Sequence, residues 1–171
     1  MAEISKAKYI AKLGILLALA VVLQFLEGLI PIPLPLGVKP GISSVVIMYI
    51  LIFWGFRASL TTAFLKSCFV FITRGATAFC MSLCGGILSL IMMWAVLLIY
   101  QRKKDDVGLI VISVTGGIFH NIGQLIAASI ISKTFYTISY LPVLIIAGII
   151  AGAFTGILLK IFIPYAEKLS Q

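Results

Sequence analysis

The chain has 171 residues, of which 62% are hydrophobic and only 11% are charged. A water-soluble domain of this composition would lack the polar surface needed to cover its core. Apolar segments long enough to cross a hydrocarbon layer of about 30 Å recur along the whole length. The composition therefore excludes a soluble domain and predicts one integral membrane domain over residues 1–171.

The net charge of +8 would suggest nucleic-acid binding in a soluble protein. Here the basic residues lie at the ends of apolar segments, where the cytoplasmic loops of membrane proteins collect Lys and Arg. Nucleic acid is therefore not an expected partner. The first apolar segment has no small-residue cleavage site, so we expect it to be retained as a helix.

The apolar segments predict an all-α, polytopic membrane protein, a bundle of six transmembrane helices. Spans two and three are short and are separated only by Arg57, so a five-span chain with one long bent hairpin is the competing count. Gly55 favours a turn at that point. The six predicted spans are Ile10–Ile30, Gly41–Phe56, Ala58–Thr73, Ala78–Tyr100, Val107–Ser132 and Tyr140–Ile163.

The distribution of basic residues predicts that both termini are cytoplasmic, because Lys and Arg accumulate on the inner side. Nine basic residues then fall inside and three outside. The inner nine are Lys6, Lys8, Lys12, Arg57, Arg102, Lys103, Lys104, Lys160 and Lys168; the outer three are Lys39, Arg74 and Lys133.

The first outer loop, from Pro31 to Pro40, contains four prolines and is otherwise mostly apolar. Proline lacks the backbone donor that a helix needs and stiffens a loop into extended structure. Two interpretations stay open: a lid folded over the bundle, or a rigid linker at the membrane interface.

Small residues at four-residue spacing predict two packing stripes, because they let helices approach closely. Gly148, Gly152 and Gly156 form one in the last span. We expect this stripe to seal the bundle internally. The other stripe, in the first span, is a candidate docking surface for a partner protein and consists of Ala7, Ala11, Gly14 and Ala18.

Polar side chains at bilayer depth are costly and are candidates for function. In the predicted topology these residues converge on the outer side of the membrane, with Lys66 and His120 near the midplane and Lys39 and Arg74 at the outer rim. Each one could instead be structural, as a buried ion pair between Glu27 and Lys66 or as hydrogen bonds between helices. The candidate substrate-binding residues are Gln24, Glu27, Lys39, Lys66, Arg74, His120, Asn121 and Gln124.

Motifs of known enzymes are absent from the sequence. There is no GxxxxGK[ST] phosphate loop, no HExxH and no GxSxG. The only aspartates, Asp105 and Asp106, lie in a basic loop. Cys80 and Cys84 are one helical turn apart, but no Cys or His stands nearby to complete a metal site. We expect no catalytic residue, no metal and no cofactor.

Four stretches carry a resemblance to a known family: VKPG at 38–41, SLCGGILS at 82–89, GGIFHNIGQ at 116–124 and YLPVL at 140–144. They resemble the membrane proteins called heptaprenyl diphosphate synthase component I, also known as the Gx transporter family. That family is similar in size and layout to the substrate-binding S components of energy-coupling factor (ECF) transporters, which bind vitamins and related micronutrients.

The resemblance implies a substrate-binding subunit in a prokaryotic cytoplasmic membrane. It would take up a micronutrient or precursor together with an ECF transmembrane scaffold and ATPase subunits. The basic residues Lys39, Lys66 and Arg74 favour a small anionic ligand. The alternative is a noncatalytic accessory subunit linked to heptaprenyl diphosphate or menaquinone biosynthesis. Catalysis is not expected, because prenyl transfer needs paired Asp-rich motifs that hold magnesium on the diphosphate.

The topology can be tested by cysteine labelling in a background without the three native cysteines. We predict that Gly37→Cys reacts with an impermeant thiol reagent added to intact cells, whereas Lys103→Cys reacts only after the membrane is opened. A Gly37→Cys protein that reacts only from the inside would contradict the predicted orientation.

Overall fold

The structure, a computed structural model, describes residues 6–29, 41–100, 106–134 and 136–170. These residues form five α-helices and one short 3-10 helix, and no strand occurs among them. The helices are α1 (Lys6–Leu29), α2 (Ser44–Trp54), α3 (Phe56–Tyr100), α4 (Asp106–Ser132) and α5 (Leu141–Ser170), with the 3-10 helix Tyr136–Tyr140 before α5.

Helix α3 is a hairpin of two antiparallel arms. Its backbone leaves helical geometry at Gly75, where φ is 83° and ψ is −176°, a conformation that glycine adopts without steric cost. The rings of Phe56 and Trp94 lie 5.0 Å apart, whereas a straight helix would separate them by about 57 Å. The arms, residues 56–74 and 76–100, are therefore about 28 and 37 Å long.

Successive helical segments run in alternating directions. Tyr9 of α1 stacks on Trp54 at the end of α2, with ring centroids 4.9 Å apart, and Tyr49 of α2 meets Phe162 near the end of α5. We call this side of the bundle the aromatic end, and the opposite side, where α3 turns, the Gly75 end. The N-terminal part of α1 and the C-terminal part of α5 thus both lie at the aromatic end, in keeping with both termini on one side of the membrane.

The expected all-α membrane fold is confirmed, but the count of six separate transmembrane helices is wrong. Four helices are long and apolar enough to cross a membrane: α1, α3, α4 and α5. The third and fourth predicted spans are the two arms of α3. The second, α2, has 11 residues and is about 16 Å long, half of a hydrocarbon core. The predicted turn at Gly55 does separate α2 from α3.

Helix α4 lies between the second arm of α3 and α5, and glycines bring the backbones into contact. A Cβ atom at Gly123 would lie 2.7 Å from the Cys84 carbonyl oxygen on one side. On the other side, a Cβ atom at Gly148 would lie 2.8 Å from the Cα atom of Ile118. Such approach is possible only where side chains are absent.

The predicted internal stripe of the last helix is confirmed. Gly148, Gly152 and Gly156 all face the backbone of α4, from Leu109 to Ile118. Ser113 donates a hydrogen bond to the Gly152 carbonyl oxygen across this contact, at 2.6 Å. The stripe is therefore a seam inside the bundle.

The seam predicts that substitution by valine destabilises the protein at Gly152 but not at Gly14. A Cβ at Gly152 would lie 2.5 Å from the Val114 Cα, so we expect Gly152→Val to lower the free energy of unfolding by about 1–3 kcal/mol through overpacking. Gly14→Val is the control, because nothing lies within 4 Å of a Cβ at Gly14. Thermal unfolding in detergent measures both; equal melting temperatures would contradict the seam.

Candidate functional site

A cavity of about 250 Å³ lies at the Gly75 end, between α1, the hairpin of α3 and α4. This volume is slightly below that of pockets for drug-sized ligands, roughly 300–1,000 Å³, so the cavity suits a small molecule or the head group of a larger one. Helices α1 and α4 contribute polar side chains to the lining, and α3 contributes both polar and apolar ones. The lining residues are Gln24, Gly28, Val70, Arg74, Ala78, Met81, Ser82, His120 and Gln124.

Arg74 reaches from the α3 turn across the first helix. Its Nη2 atom donates a hydrogen bond of 3.3 Å to the backbone carbonyl of Gln24. The guanidinium lies directly over Gly28, where a Cβ atom would collide with it. Gly28 therefore provides the room in which Arg74 crosses α1 and enters the cavity wall.

Ser43 links Gln24 to the buried Lys66. Ser43 stands at the N-cap of α2 but makes no side-chain capping bond. Its hydroxyl instead accepts a hydrogen bond from the Lys66 ammonium at 3.0 Å and donates one to Gln24 Oε1 at 2.7 Å. Lys66 is 2% exposed and does not line the cavity. Ser43 connects it by hydrogen bonds to Gln24, which does.

Glu27 holds the chain where it enters the site after the first loop. Its Oε1 atom accepts a hydrogen bond of 2.5 Å from the Gly41 amide, and Oε2 has no hydrogen-bond partner within the described residues. Glu27 and Lys66 interact electrostatically, but this geometry leaves them without a direct hydrogen bond. The predicted buried ion pair between Glu27 and Lys66 is therefore an electrostatic attraction without a direct hydrogen bond.

His120 and Gln124 form the α4 wall of the cavity. They lie one turn apart, and the Gln124 side-chain amide shares a hydrogen bond of 2.6 Å with His120 Nε2. Gly41, with φ of 80°, packs against this ring: a Cβ atom there would lie 3.0 Å from His120 Cδ2. The imidazole is thereby wedged between Gln124 and the start of α2.

Asn121 faces away from the cavity. Its Nδ2 atom donates a hydrogen bond of 2.8 Å to the Leu144 carbonyl on α5, and the residue is fully buried. It shares this role with Ser89, which donates to the Gly116 carbonyl at 2.8 Å. Both side chains join neighbouring helices, which is the structural alternative expected for polar residues in a membrane bundle.

The structure brings together most of the predicted site residues at one end of the bundle. Gln24, Arg74, His120 and Gln124 line the cavity. Glu27 and Lys66 lie behind it, Asn121 points to α5, and Lys39 lies outside the described residues, as does the loop from Pro31 to Pro40.

Six residues of the site were not predicted from the sequence: Ser43, Gly28, Val70, Ala78, Met81 and Ser82. Two carried a usable signal. Gly28 is an isolated glycine beside a charged residue in an apolar helix, and such a glycine often has a packing reason. Ser43 precedes an apolar helix, as a capping residue would.

The predicted docking stripe of Ala7, Ala11, Gly14 and Ala18 is exposed along its whole length. The opposite side of α1 faces the bundle through Ala20, Gln24 and Glu27. Among the four long helices, α1 is the least buried. The stripe is thus open to another protein, although the structure contains none.

Metal-binding groups do not gather anywhere in the described part of the chain, where no three His, Cys, Asp or Glu residues lie together. Cys68, Cys80 and Cys84 are all free thiols. The chemistry available at the cavity is therefore hydrogen bonding, from amides, a hydroxyl, an imidazole and one guanidinium.

Comparison with known proteins identifies the family of the chain. Residues 16–162 match the family model for heptaprenyl diphosphate synthase component I. The chain belongs to this family. No curated protein and no solved structure matches the chain. The family match confirms the first part of the resemblance, whereas similarity to ECF S components stays a prediction.

Membership in the heptaprenyl diphosphate synthase component I family has one direct consequence. A first component implies a partner subunit. The apolar helices that could cross a bilayer indicate that this component is embedded in a membrane.

The contrast between Asn121 and Gln124 can be measured. We expect Asn121→Leu to destabilise the protein by about 0.6 kcal/mol and at most about 1.7 kcal/mol, as for other hydrogen bonds between membrane helices. This variant should still retain small molecules through purification. Gln124→Met should lose them with little change in melting temperature. Mass spectrometry and thermal unfolding on the same preparations compare the two; loss of bound molecules from Asn121→Leu alone would contradict the assignment.

Proposed function

We propose that this membrane component is a substrate-binding subunit that holds a small anionic molecule in the cavity at the Gly75 end. The observation that carries the proposal is the position of Arg74. Its guanidinium stands in the wall of a cavity whose other polar side chains, on Gln24, Ser82, His120 and Gln124, carry no negative charge. Among the described lining residues there is no carboxylate; Glu27, behind the wall, attracts Arg74 from a distance.

The location of the cavity supports capture from the side opposite the cytoplasm. The Gly75 end is the outer end if the distribution of basic residues sets the orientation. Arg57 and the aromatic pairs of Tyr9 with Trp54 and Phe56 with Trp94 lie at the other end, as expected for side chains at a membrane interface. A ligand would therefore enter from outside and need a second event for release inside.

Release requires partners, because the sequence contains no nucleotide-binding loop. In the transport version of the proposal, an ECF-like scaffold docks on Ala7, Ala11, Gly14 and Ala18 and ATPase subunits supply the energy. The exposure of that stripe supports this arrangement, since close helix contact needs small side chains.

A second candidate is a noncatalytic accessory subunit of a membrane-associated prenyl diphosphate synthase. The family description favours it, because a first component implies a second. This subunit would bind an anionic precursor without transforming it, and we propose no catalytic residue in either version.

The proposed function is tested by a matched pair of arginine variants. Arg74 and Arg57 lie on the same arm of α3 at its opposite ends, and only Arg74 lines the cavity. We expect Arg74→Gln to reduce the retained ligand about tenfold or more, because a hydrogen bond to a charged group is lost. Arg57→Gln should retain it. Mass spectrometry of molecules released from the purified proteins measures the difference.

The same preparations separate the two versions of the function. Copurification with ATPase and scaffold subunits would support transport, and copurification with a prenyl synthase would support the accessory role. No retained small molecule in the wild-type protein, or equal retention by both arginine variants, would contradict the binding proposal.

A further inference from the structure

A chain of three hydrogen-bonding groups fixes the orientation of one amide in the cavity wall. The Lys66 ammonium can only donate, and it donates to Ser43 Oγ at 3.0 Å. The Ser43 hydroxyl oxygen accepts this bond, and its single proton is donated to Gln24 Oε1, at 2.7 Å. All three residues are at least nine-tenths buried.

This chain of hydrogen bonds determines which polar atom Gln24 presents to a ligand. Since Oε1 accepts from Ser43, the remaining polar atom is the amide nitrogen, Nε2. No hydrogen bond of Nε2 occurs within the described residues, and Gln24 lines the cavity. Rotating the amide by half a turn would place the donor Nε2 instead of Oε1 against Ser43 Oγ and remove this buried hydrogen bond from the Ser43 hydroxyl, which is unfavourable.

Arg74 adds a second group that can only donate. It uses Nη2 for the Gln24 carbonyl, and the residue is exposed and lines the cavity. The nearest acidic residue on α1, Glu27, turns its Oε1 to the Gly41 amide instead. On the side formed by α1 and the α3 turn, the cavity therefore offers N–H donors and positive charge.

We infer that the ligand group held at this side of the cavity is an anion rich in hydrogen-bond acceptors, a carboxylate or a phosphate. We also infer that Lys66 is a positioning residue, which sets the donor character of Gln24 without touching the ligand. Both inferences rest on the proposed function. They differ from the sequence-based prediction, in which Lys66 contacts the anion itself.

The test follows the side-chain amide of Gln24 by nuclear magnetic resonance. The chain has only four glutamines, so their ¹⁵N-labelled side-chain amides are separable, and Gln24→Met identifies the relevant signal. The protein is placed in phosphatidylcholine nanodiscs and titrated with inorganic phosphate, acetate or tetramethylammonium. We expect phosphate or acetate to shift the Gln24 signal to saturation and tetramethylammonium to leave it unchanged.

The role of Lys66 is tested by a double-mutant cycle. The anion used is the one, phosphate or acetate, that shifts the Gln24 signal. Lys66→Met and Gln24→Met should each weaken its binding about tenfold or more, since a hydrogen bond to a charged ligand is lost. The double variant should bind no more weakly than either single variant, because both remove the same donor. Lys66→Arg, which still only donates, should restore affinity, and Lys133→Met is the exposed control. Binding by the double variant can be followed at the Gln124 amide.

Ser43→Ala interrupts the same chain and replaces Lys66→Met if that variant fails to fold. Multiplicative losses in the double variant would overturn the positioning role, since a merely structural effect of Lys66 would be independent of Gln24. Ser43→Ala keeps the charge of Lys66, so weaker anion binding by this variant reports the hydrogen bonds and not the charge. Unchanged binding by Ser43→Ala would overturn the positioning role.

The probes also separate this inference from the proposed function. A response to tetramethylammonium but to neither anion would overturn the anion assignment while leaving small-molecule binding in place. No response to any probe, together with no retained small molecule, would overturn both. Nanodiscs that contain phosphatidylglycerol identify the source: a shifted Gln24 signal before any probe is added would support an anionic lipid head group, and its appearance only with added anion would support a free ligand.

Discussion

Backbone contact between α4 and its two neighbours is the constraint on which the rest of the fold depends. Gly117 meets Gly148 and Gly152 on one side, and Gly123 meets Gly85 on the other. Hydrophobic exclusion from water does not drive helices together in lipid, so close packing must supply the attraction. These contacts fix the depth of α4, and thereby set His120 and Gln124 opposite the turn of α3.

Polar side chains near these contacts divide into two groups by what they face. Ser89, Ser113 and Asn121 donate to backbone carbonyls of an adjacent helix. Gln24 and Arg74 face the cavity instead, and their remaining donors are available to a ligand. Because an unsatisfied polar group is costly at membrane depth, the first group supports the bundle, whereas the second is explained by a ligand or by water in the cavity.

The sequence predicted the membrane environment, the glycine seam of α5 and the gathering of polar residues, because each depends on composition or spacing. It also predicted the two arms of α3, as separate spans on either side of Gly75, but it overestimated α2, whose 11 residues are too few to cross a hydrocarbon core. It could not separate Asn121 from Gln124: both lie in an apolar helix buried on several sides, where periodicity does not identify the cavity face. The connection from Lys66 through Ser43 to Gln24 joins three helices, and such a contact has no signature in one sequence.

The size and surroundings of the cavity bear on the choice between the two proposed functions. A ligand taken up from water would be held by the walls of the cavity alone, around a volume of about 250 Å³. A prenyl diphosphate would place only its anionic head there and leave its chain in lipid, beside the exposed Phe25 and Leu26 that flank Gln24 on α1. Both ligands need the same donors, from Gln24 and Arg74. The apolar surface of α1 next to the cavity, rather than the polar wall, is therefore where the two functions would differ.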